Sequence, residues 1–355
     1  MDAPRHIAIL RLSALGDVCH ALPALRAAQA TWPEARFTWI VAPVEQALLA
    51  GMADVETVVY SKRSGLAGMR RLHAELVRRY GGHPFDLLLH LQTSARSNLL
   101  SALALSARLK VGLGPPLTRE GHGWVNHRLV PPPPRAHAVD AYLAVVEALG
   151  AAKAPPRWDL PLSATARAWA AERLPEGPWL ALNPTASPSR RVWREWPLER
   201  LARVAEAAWE LGLKPCLVGG PGERERRRAA TLRAACRVPL VDLTGATDIP
   251  RLLAVLARAR LLLSVDSGPV HLATAVGTPV IGLYGATDPH QTGPYRDRHR
   301  VVSVYAEAVA AEYGRPPEAL PWGTRCHRAD VMERIEVAQV TARLEAVWRE
   351  LQWRG

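Results

Sequence analysis

Two segments, one late and one early, place an aspartate where an apolar run gives way to a helical pattern. In the late one, Leu261-Leu-Leu-Ser-Val265 reads as a buried strand and Asp266-Ser-Gly-Pro269 as a turn. A helix starts near Pro269, since proline is favoured at the first helical position. Free amides and the positive dipole end of such a helix suit a phosphate, and Gly268 lets the main chain come close to it. Asp266 cannot favour a phosphate by charge, so its carboxylate suits sugar hydroxyls. His271, one turn further, either contacts a diphosphate or packs within the helix.

In the early segment, the apolar run Ile7–Leu12 reads as a strand and Ser13-Ala-Leu-Gly16 as the turn that ends it. The periodic segment after Pro23 reads as the next helix. Ligands of open α/β sheets bind beyond the carboxyl ends of strands. Asp17, on that glycine-containing loop, is therefore placed at a site, the alternative being a helix cap.

Between these segments lie further anion-binding signals. Leu182-Asn-Pro-Thr-Ala-Ser comes after another apolar run, with the hydroxyls of Thr185 and Ser187. Arg190-Arg-Val-Trp-Arg-Glu-Trp-Pro197 then brings three arginines into five residues, and arginine presents a planar fork to phosphate oxygens. Trp193 and Trp196 among these charges argue against a merely solvated run. Val218-Gly-Gly-Pro-Gly-Glu223 is a third strand-to-helix loop, in which Glu223 either accepts ribose hydroxyls or caps its helix.

Strand and helix patterns alternate throughout, which predicts α/β architecture with mostly parallel sheets. Strands are expected at Ile7–Leu12, Phe37–Val41, Val55–Tyr60 and Leu87–Leu91, with helices around Ala24–Trp32, Gln46–Met52, Leu66–Tyr80 and Ala138–Leu149. Pro131–Pro134 is an exposed connection, because proline has no amide proton to donate. Ala154–Pro161 reads as a linker. The pattern then restarts, with strands at Trp179–Asn183, Pro215–Gly219, Leu240–Leu243, Leu261–Val265 and Val280–Leu283. Helices are expected at Leu198–Leu211, Glu223–Arg233, Ile249–Arg258, His271–Val276 and Ile335–Trp353. The pattern predicts two Rossmann-like domains, 1–160 and 161–334, with a terminal helix at 335–355.

Composition bounds the function. The 355 residues are 48% hydrophobic, yet no apolar run is long and charge-free enough to span a bilayer. Met1–Arg5 leads straight into a strand without a secretory cleavage pattern. The four cysteines are far apart and form no CxxC pair, which fits a reducing compartment and argues against a cysteine metal site. A cytoplasmic protein is expected. The net charge of +12 implies anionic partners. No basic tail or aromatic-basic interleaving suggests nucleic acid, so a phosphorylated substrate or an anionic membrane surface is the better match.

The ordered motifs Gly16-Asp-Val with His20-Ala-Leu-Pro, Arg194-Glu-Trp-Pro, Gly219-Gly-Pro-Gly-Glu223 and Asp266-Ser-Gly-Pro-Val-His271 resemble glycosyltransferase family 9 over nearly the whole chain. These are the ADP-heptose:lipopolysaccharide heptosyltransferases. The resemblance implies a GT-B architecture of two facing domains, the first for the acceptor and the second for the nucleotide-sugar. It implies inverting, metal-independent transfer with no cofactor beyond the donor substrate, ADP-heptose. Asp17 would be the general base, and Arg194, Ser267, Gly268 and His271 would meet the diphosphate. Thr185 and Ser187 match the phosphate loop, Asp266 the transferred sugar, Glu223 the ribose, and Thr247 to Ile249 the adenine wall. Lys62, Arg63 and Arg96 fall where the family places basic residues for an acidic, lipid-linked acceptor at the inner membrane face. One departure is Arg194, where the family commonly has lysine.

Other classes are weighed by the same residues. A different nucleotide-sugar on the same fold is the nearest rival. A UDP-sugar epimerase of GT-B type leaves Gly16-Asp17 without a role. A dinucleotide oxidoreductase lacks its GxGxxG fingerprint at Ser13–Gly16. A non-catalytic sugar-nucleotide binding protein would not need Asp17.

Overall fold

The computed structural model describes residues 3–82, 85–187 and 193–353. The chain divides into two compact units, Met1–Pro161 and Leu162–Gly355.

The first unit runs β1 (His6–Leu10), α1 (Leu15–Thr31), β2 (Arg36–Val41), α2 (Pro43–Leu49), β3 (Glu56–Val59), α3 (Gly65–Tyr80), β4 (Phe85–His90), α4 (Ala95–Leu103), β5 (Ala107–Leu113), α5 (His122–Val125), β6 (Arg128–Val130) and α6 (Ala138–Glu147). Its six strands are all parallel, in the order β3-β2-β1-β4-β5-β6. Helices α3 and α4 share an apolar core with one sheet face through Leu10, Ile40, Met69, Leu72, Leu76, Leu88 and Leu100. Helices α1 and α6 pack on each other.

The second unit runs α7 (Ala164–Arg173), β7 (Trp179–Asn183), α8 (Leu198–Glu210), β8 (Lys214–Leu217), α9 (Glu223–Ala235), β9 (Val241–Asp242), α10 (Ile249–Arg258), β10 (Leu261–Val265), α11 (Gly268–Val276), β11 (Val280–Tyr284), α12 (Pro289–Thr292), β12 (Val302–Ser303), α13 (Tyr305–Tyr313) and α14 (Val337–Trp353). Its parallel order is β12-β11-β10-β7-β8-β9. Both sheets thus have the doubly wound order, with the direction of winding reversing between β1 and β4 and between β7 and β10. The terminal helix packs on α8 and belongs to this unit.

One expectation needs correcting. Helix α1 begins at Leu15 rather than after Pro23, so Asp17 lies in its first turn and not on the preceding loop. Pro23 removes the amide that would bond the Cys19 carbonyl, normally a costly loss. The indole of Trp158 replaces it, donating Nε1–H to that carbonyl at 3.0 Å. The same segment is tied down where Arg26 donates to the Asp159 carbonyl at 2.8 Å. The linker read at Ala154–Pro161 therefore belongs physically to the first unit.

A buried polar cluster joins β4 to α4 and α5. His90 Nδ1 lies 3.2 Å from Asn126 Oδ1 and His122 Nδ1 2.8 Å from Asn98 Oδ1, with ring centroids 4.4 Å apart. Each ring keeps a buried Nε2 without a partner among the described residues. Burial, aided at His90 by the neighbouring His122, lowers His90 to about 3, and burial lowers His122 to about 4. Both rings stay neutral in the fold but charge near pH 6.5 once unfolded, so their contribution is full above that pH and is lost as pH falls toward 4. His122 alone should cost roughly 3 kcal/mol across this window. Urea unfolding between pH 7 and 4.5 should show this loss, and the double variant His90→Gln/His122→Gln should flatten the dependence. An unchanged slope in the variant would assign the acid sensitivity elsewhere.

Candidate active site

The candidate residues gather at the carboxyl edges of the two sheets, in two clusters. In the first unit, β1 ends at Leu10 and Arg11 continues from it. The Arg11 guanidinium meets Asp17 Oδ2 at 2.5 Å, donates to the Leu91 carbonyl at 2.7 Å and stacks over the Tyr142 ring. Burial opposes the Arg11 charge, but Asp17 and Tyr142 outweigh it and hold Arg11 above its ordinary value. Asp17 Oδ2 also accepts the Ala14 amide at 3.1 Å. The capping contact weighed for Asp17 is therefore present, and it uses one oxygen only. Oδ1 accepts no hydrogen bond among the described residues, and the side chain is 37% exposed.

The loop after β3 folds back beside this pair. Lys62 lies in a short 3-10 turn and donates Nζ to the Ser13 hydroxyl. Arg63 in the same turn is exposed. Arg96 is the exposed second residue of α4, at the end of β4. Glu45 in α2 is buried close to Lys62 and Asp17. Burial holds its carboxyl above the ordinary value, against its own backbone hydrogen bond and Lys62.

In the second unit, Asp266 and Ser267 link β10 to α11, and Ser267 is the residue before the helix. Asn183, the last residue of β7, donates Nδ2 to the hydroxyls of Ser267 at 2.6 Å and Ser264 at 3.0 Å, and to the Thr185 carbonyl at 3.0 Å. This fan locks the β7 and β10 loops together. The Ser267 hydroxyl also donates to the Val265 carbonyl at 3.1 Å, which leaves the helix amides rather than that hydroxyl facing a ligand. Asp266 Oδ2 accepts from Thr287 Oγ at 2.7 Å and pairs with Arg194 at 3.5 Å. Tyr284 is pushed well above its ordinary value, first by burial and then by the Asp266 charge, so its phenol stays protonated. His271 is buried one turn into α11.

Arg194 also donates Nη2 to the Ser187 carbonyl at 3.0 Å, and its Nε–H has no partner among the described residues. Glu195 holds the same loop from behind. It accepts the Ala186 amide at 3.1 Å and pairs with Arg224 and Arg228. These two arginines in turn donate to the carbonyls of Ala186 and Pro184. Arg190 and Arg191 lie outside the described residues.

Glu223 opens α9, is 81% exposed and pairs with Arg227 one turn on. Surface pairs of this kind are worth about 0–1 kcal/mol, so a ligand hydroxyl can displace Arg227 cheaply. Thr247 and Ile249 are half-buried beside the start of α10, where Asp248 caps the Arg251 amide at 2.8 Å. Among the described residues no three His, Cys, Asp or Glu side chains gather as a metal site, and no helix is long and apolar enough to cross a membrane.

Sequence reasoning misses Arg11, Glu45, Asn183, Thr287 and Glu195 as candidates. Two have a visible signal: Arg11 is the one charge within an otherwise apolar run, and Glu195 stands in the Arg194-Glu-Trp-Pro motif.

The sequence signature of glycosyltransferase family 9 (heptosyltransferase) matches residues 73–321. The lipopolysaccharide core heptosyltransferase OpsX of Haemophilus influenzae is 34% identical over 97% of both chains. Lipopolysaccharide heptosyltransferase 1 of Pseudomonas aeruginosa is 28% identical over 81% of both. Among solved structures, a family 9 glycosyltransferase from Veillonella parvula superposes with a TM-score of 0.77 at 20% identity, covering 98% of this chain and 97% of its own. Escherichia coli heptosyltransferase WaaC with ADP gives 0.71 at 20% identity, covering 98% and 99%. The two parallel-sheet units have the GT-B fold of these neighbours. With 34% identity along almost its full length and the family signature across most of it, the chain belongs to glycosyltransferase family 9, the heptosyltransferases, and is a glycosyltransferase.

Proposed function

We propose that the chain transfers heptose from ADP-heptose to an acidic, lipid-linked lipopolysaccharide core acceptor, with inversion and with Asp17 as general base. The carrying observation is the Asp17 carboxylate, fixed through Oδ2 by Arg11 and the Ala14 amide while Oδ1 is open. An oxygen held in this way can accept the acceptor hydroxyl's proton as that hydroxyl attacks the anomeric carbon. Such assistance contributes roughly 10²–10⁴-fold. The names of OpsX and of the WaaC–ADP structure support the donor and acceptor classes.

In this reading the diphosphate lies against the α11 amides, Gly268 and His271, with Thr185, Ser187 and Arg194 around it. As the glycosidic bond to the phosphate breaks, charge builds on the leaving ADP and is stabilised by Arg194 and the helix dipole. The free oxygen of Asp266 takes a hydroxyl of the transferred sugar. Glu223 accepts the ribose, and the Thr247–Ile249 turn flanks adenine. Lys62, Arg63 and Arg96 meet the acidic acceptor. The reaction then occurs at the cytoplasmic face of the membrane that holds this lipid.

Calorimetry with ADP-heptose, UDP-sugars and GDP-sugars tests the donor. ADP-heptose should bind most tightly, and equal or tighter binding of a UDP-sugar would end the assignment. Asp17→Asn keeps an acceptor for the Ala14 amide but cannot take a proton. It should lower transfer roughly 10²–10⁴-fold with donor affinity intact. Unaltered turnover would instead leave a binding protein or another base. Arg194→Ala should weaken donor binding in a folded protein, and unchanged affinity would remove Arg194 from the site.

A further inference from the structure

The layer formed by α3, α4 and α5 presents apolar side chains left exposed by the described residues. Helices α3 and α4 pack side by side, as do α4 and α5. Helix α4 buries Ser97, Asn98, Leu100 and Ser101 and turns Arg96, Leu99, Ala102 and Leu103 outward, with Leu99 43% and Leu103 51% exposed. That spacing is one face of a helix. Trp124 on α5 is 92% exposed, and Leu66 on α3 is 55% exposed. Isolated exposed apolar residues need no explanation, but four on adjoining helices make a patch.

The charge around this patch is mostly basic; its exposed carboxylate, Glu120, accepts the Ala95 amide at the start of α4. Arg70, Arg71 and Arg78 on α3 and Arg96 on α4 are exposed and form no ion pair among the described residues. The single acidic residue on these two helices, Glu75, is spent on Arg79. Apolar side chains with an interfacial tryptophan, bordered by unneutralised arginines, complement the headgroups and acyl boundary of an anionic bilayer.

We propose that this layer seats the protein on an anionic membrane, with Trp124, Leu99 and Leu103 entering the headgroup region and the α3 arginines on lipid phosphates. The surface extends the proposed reaction, whose acceptor is lipid-linked, but its test contains no sugar nucleotide. Failure of one therefore leaves the other standing.

The full chain is sedimented with vesicles of phosphatidylcholine alone or mixed with phosphatidylglycerol. Binding should be confined to the anionic vesicles and weaken with salt. The variant Leu99→Ser/Leu103→Ser/Trp124→Ser should lose roughly tenfold or more in vesicle affinity as buried apolar area is removed. Arg70→Gln and Arg71→Gln should each lose about fivefold. Trp353→Ser removes a tryptophan 90% exposed in the second unit and should change nothing. Thermal unfolding checks that each variant folds; if the triple variant does not, Trp124→Ser alone carries the comparison. Absence of anionic binding, binding untouched by these variants, or loss in Trp353→Ser would overturn the proposal. So would a lipid-free dimer that the same substitutions dissolve, which would make a second copy the occupant.

Discussion

Both clusters rest on one constraint: a carboxylate at the end of a parallel strand must be held by an arginine without being used up by it. Arg11 grips Asp17 through one oxygen, and Arg194 grips Asp266 through one oxygen. In each case a second donor, the Ala14 amide or the Thr287 hydroxyl, bonds the same oxygen. The other oxygen accepts no hydrogen bond among the described residues. The two pairs differ in which partner is more buried. Arg11 is 11% exposed against 37% for Asp17, so Arg11 depends on Asp17 more than the reverse. Deleting Asp17 outright would strand a buried guanidinium, a costly state, and would mix a stability loss with any catalytic one.

The two units share a winding order, and in each a polar residue at or just after the carboxyl end of the first strand ties neighbouring loops together. After β1 comes arginine, aimed across to the β4 end through the Leu91 carbonyl. At the end of β7 stands the Asn183 fan, which bonds both edges of the reversal point. Either device fixes two loops that a parallel sheet brings close but does not itself connect. The second loop is reinforced from behind by Glu195, Arg224 and Arg228, so a ligand there meets a surface organised before it arrives. Such preorganisation limits the ordering cost of binding.

How far the sequence reveals this depends on how local each cause is. Trp179–Asn183, Leu261–Val265 and Ile249–Arg258 are legible with the observed bounds, because a mostly apolar run or an Asp cap before proline is a local signal. Strand β5 escapes the pattern because Arg108 and Lys110 interrupt it, and the start of α1 escapes because Pro23 reads as a breaker. The residue that rescues that helix is Trp158, 139 residues away. The site obeys the same rule. Asp17, Arg194 and Asp266 stand in recognisable motifs. Asn183, Thr287 and Glu195, the last inside the Arg194-Glu-Trp-Pro motif, gain their roles only from the register that sets them beside Ser267, Asp266 and Ala186.

Arg194, where the family commonly has lysine, is explained by the same geometry. One guanidinium bonds the Ser187 carbonyl and pairs with Asp266, and its Nε–H has no partner among the described residues. A lysine ammonium has three protons against the guanidinium's five, all on one compact centre, and it cannot hold two partners on separate nitrogens of a planar fork. Here the fork ties the β7 loop to the carboxylate after β10, and in the proposed function it also turns its positive charge to the diphosphate. The extra tie suits a segment whose Ser187 is exposed and whose neighbouring support comes from Glu195 rather than from apolar packing. Arginine at this position therefore adds loop organisation to the charge that lysine would supply alone.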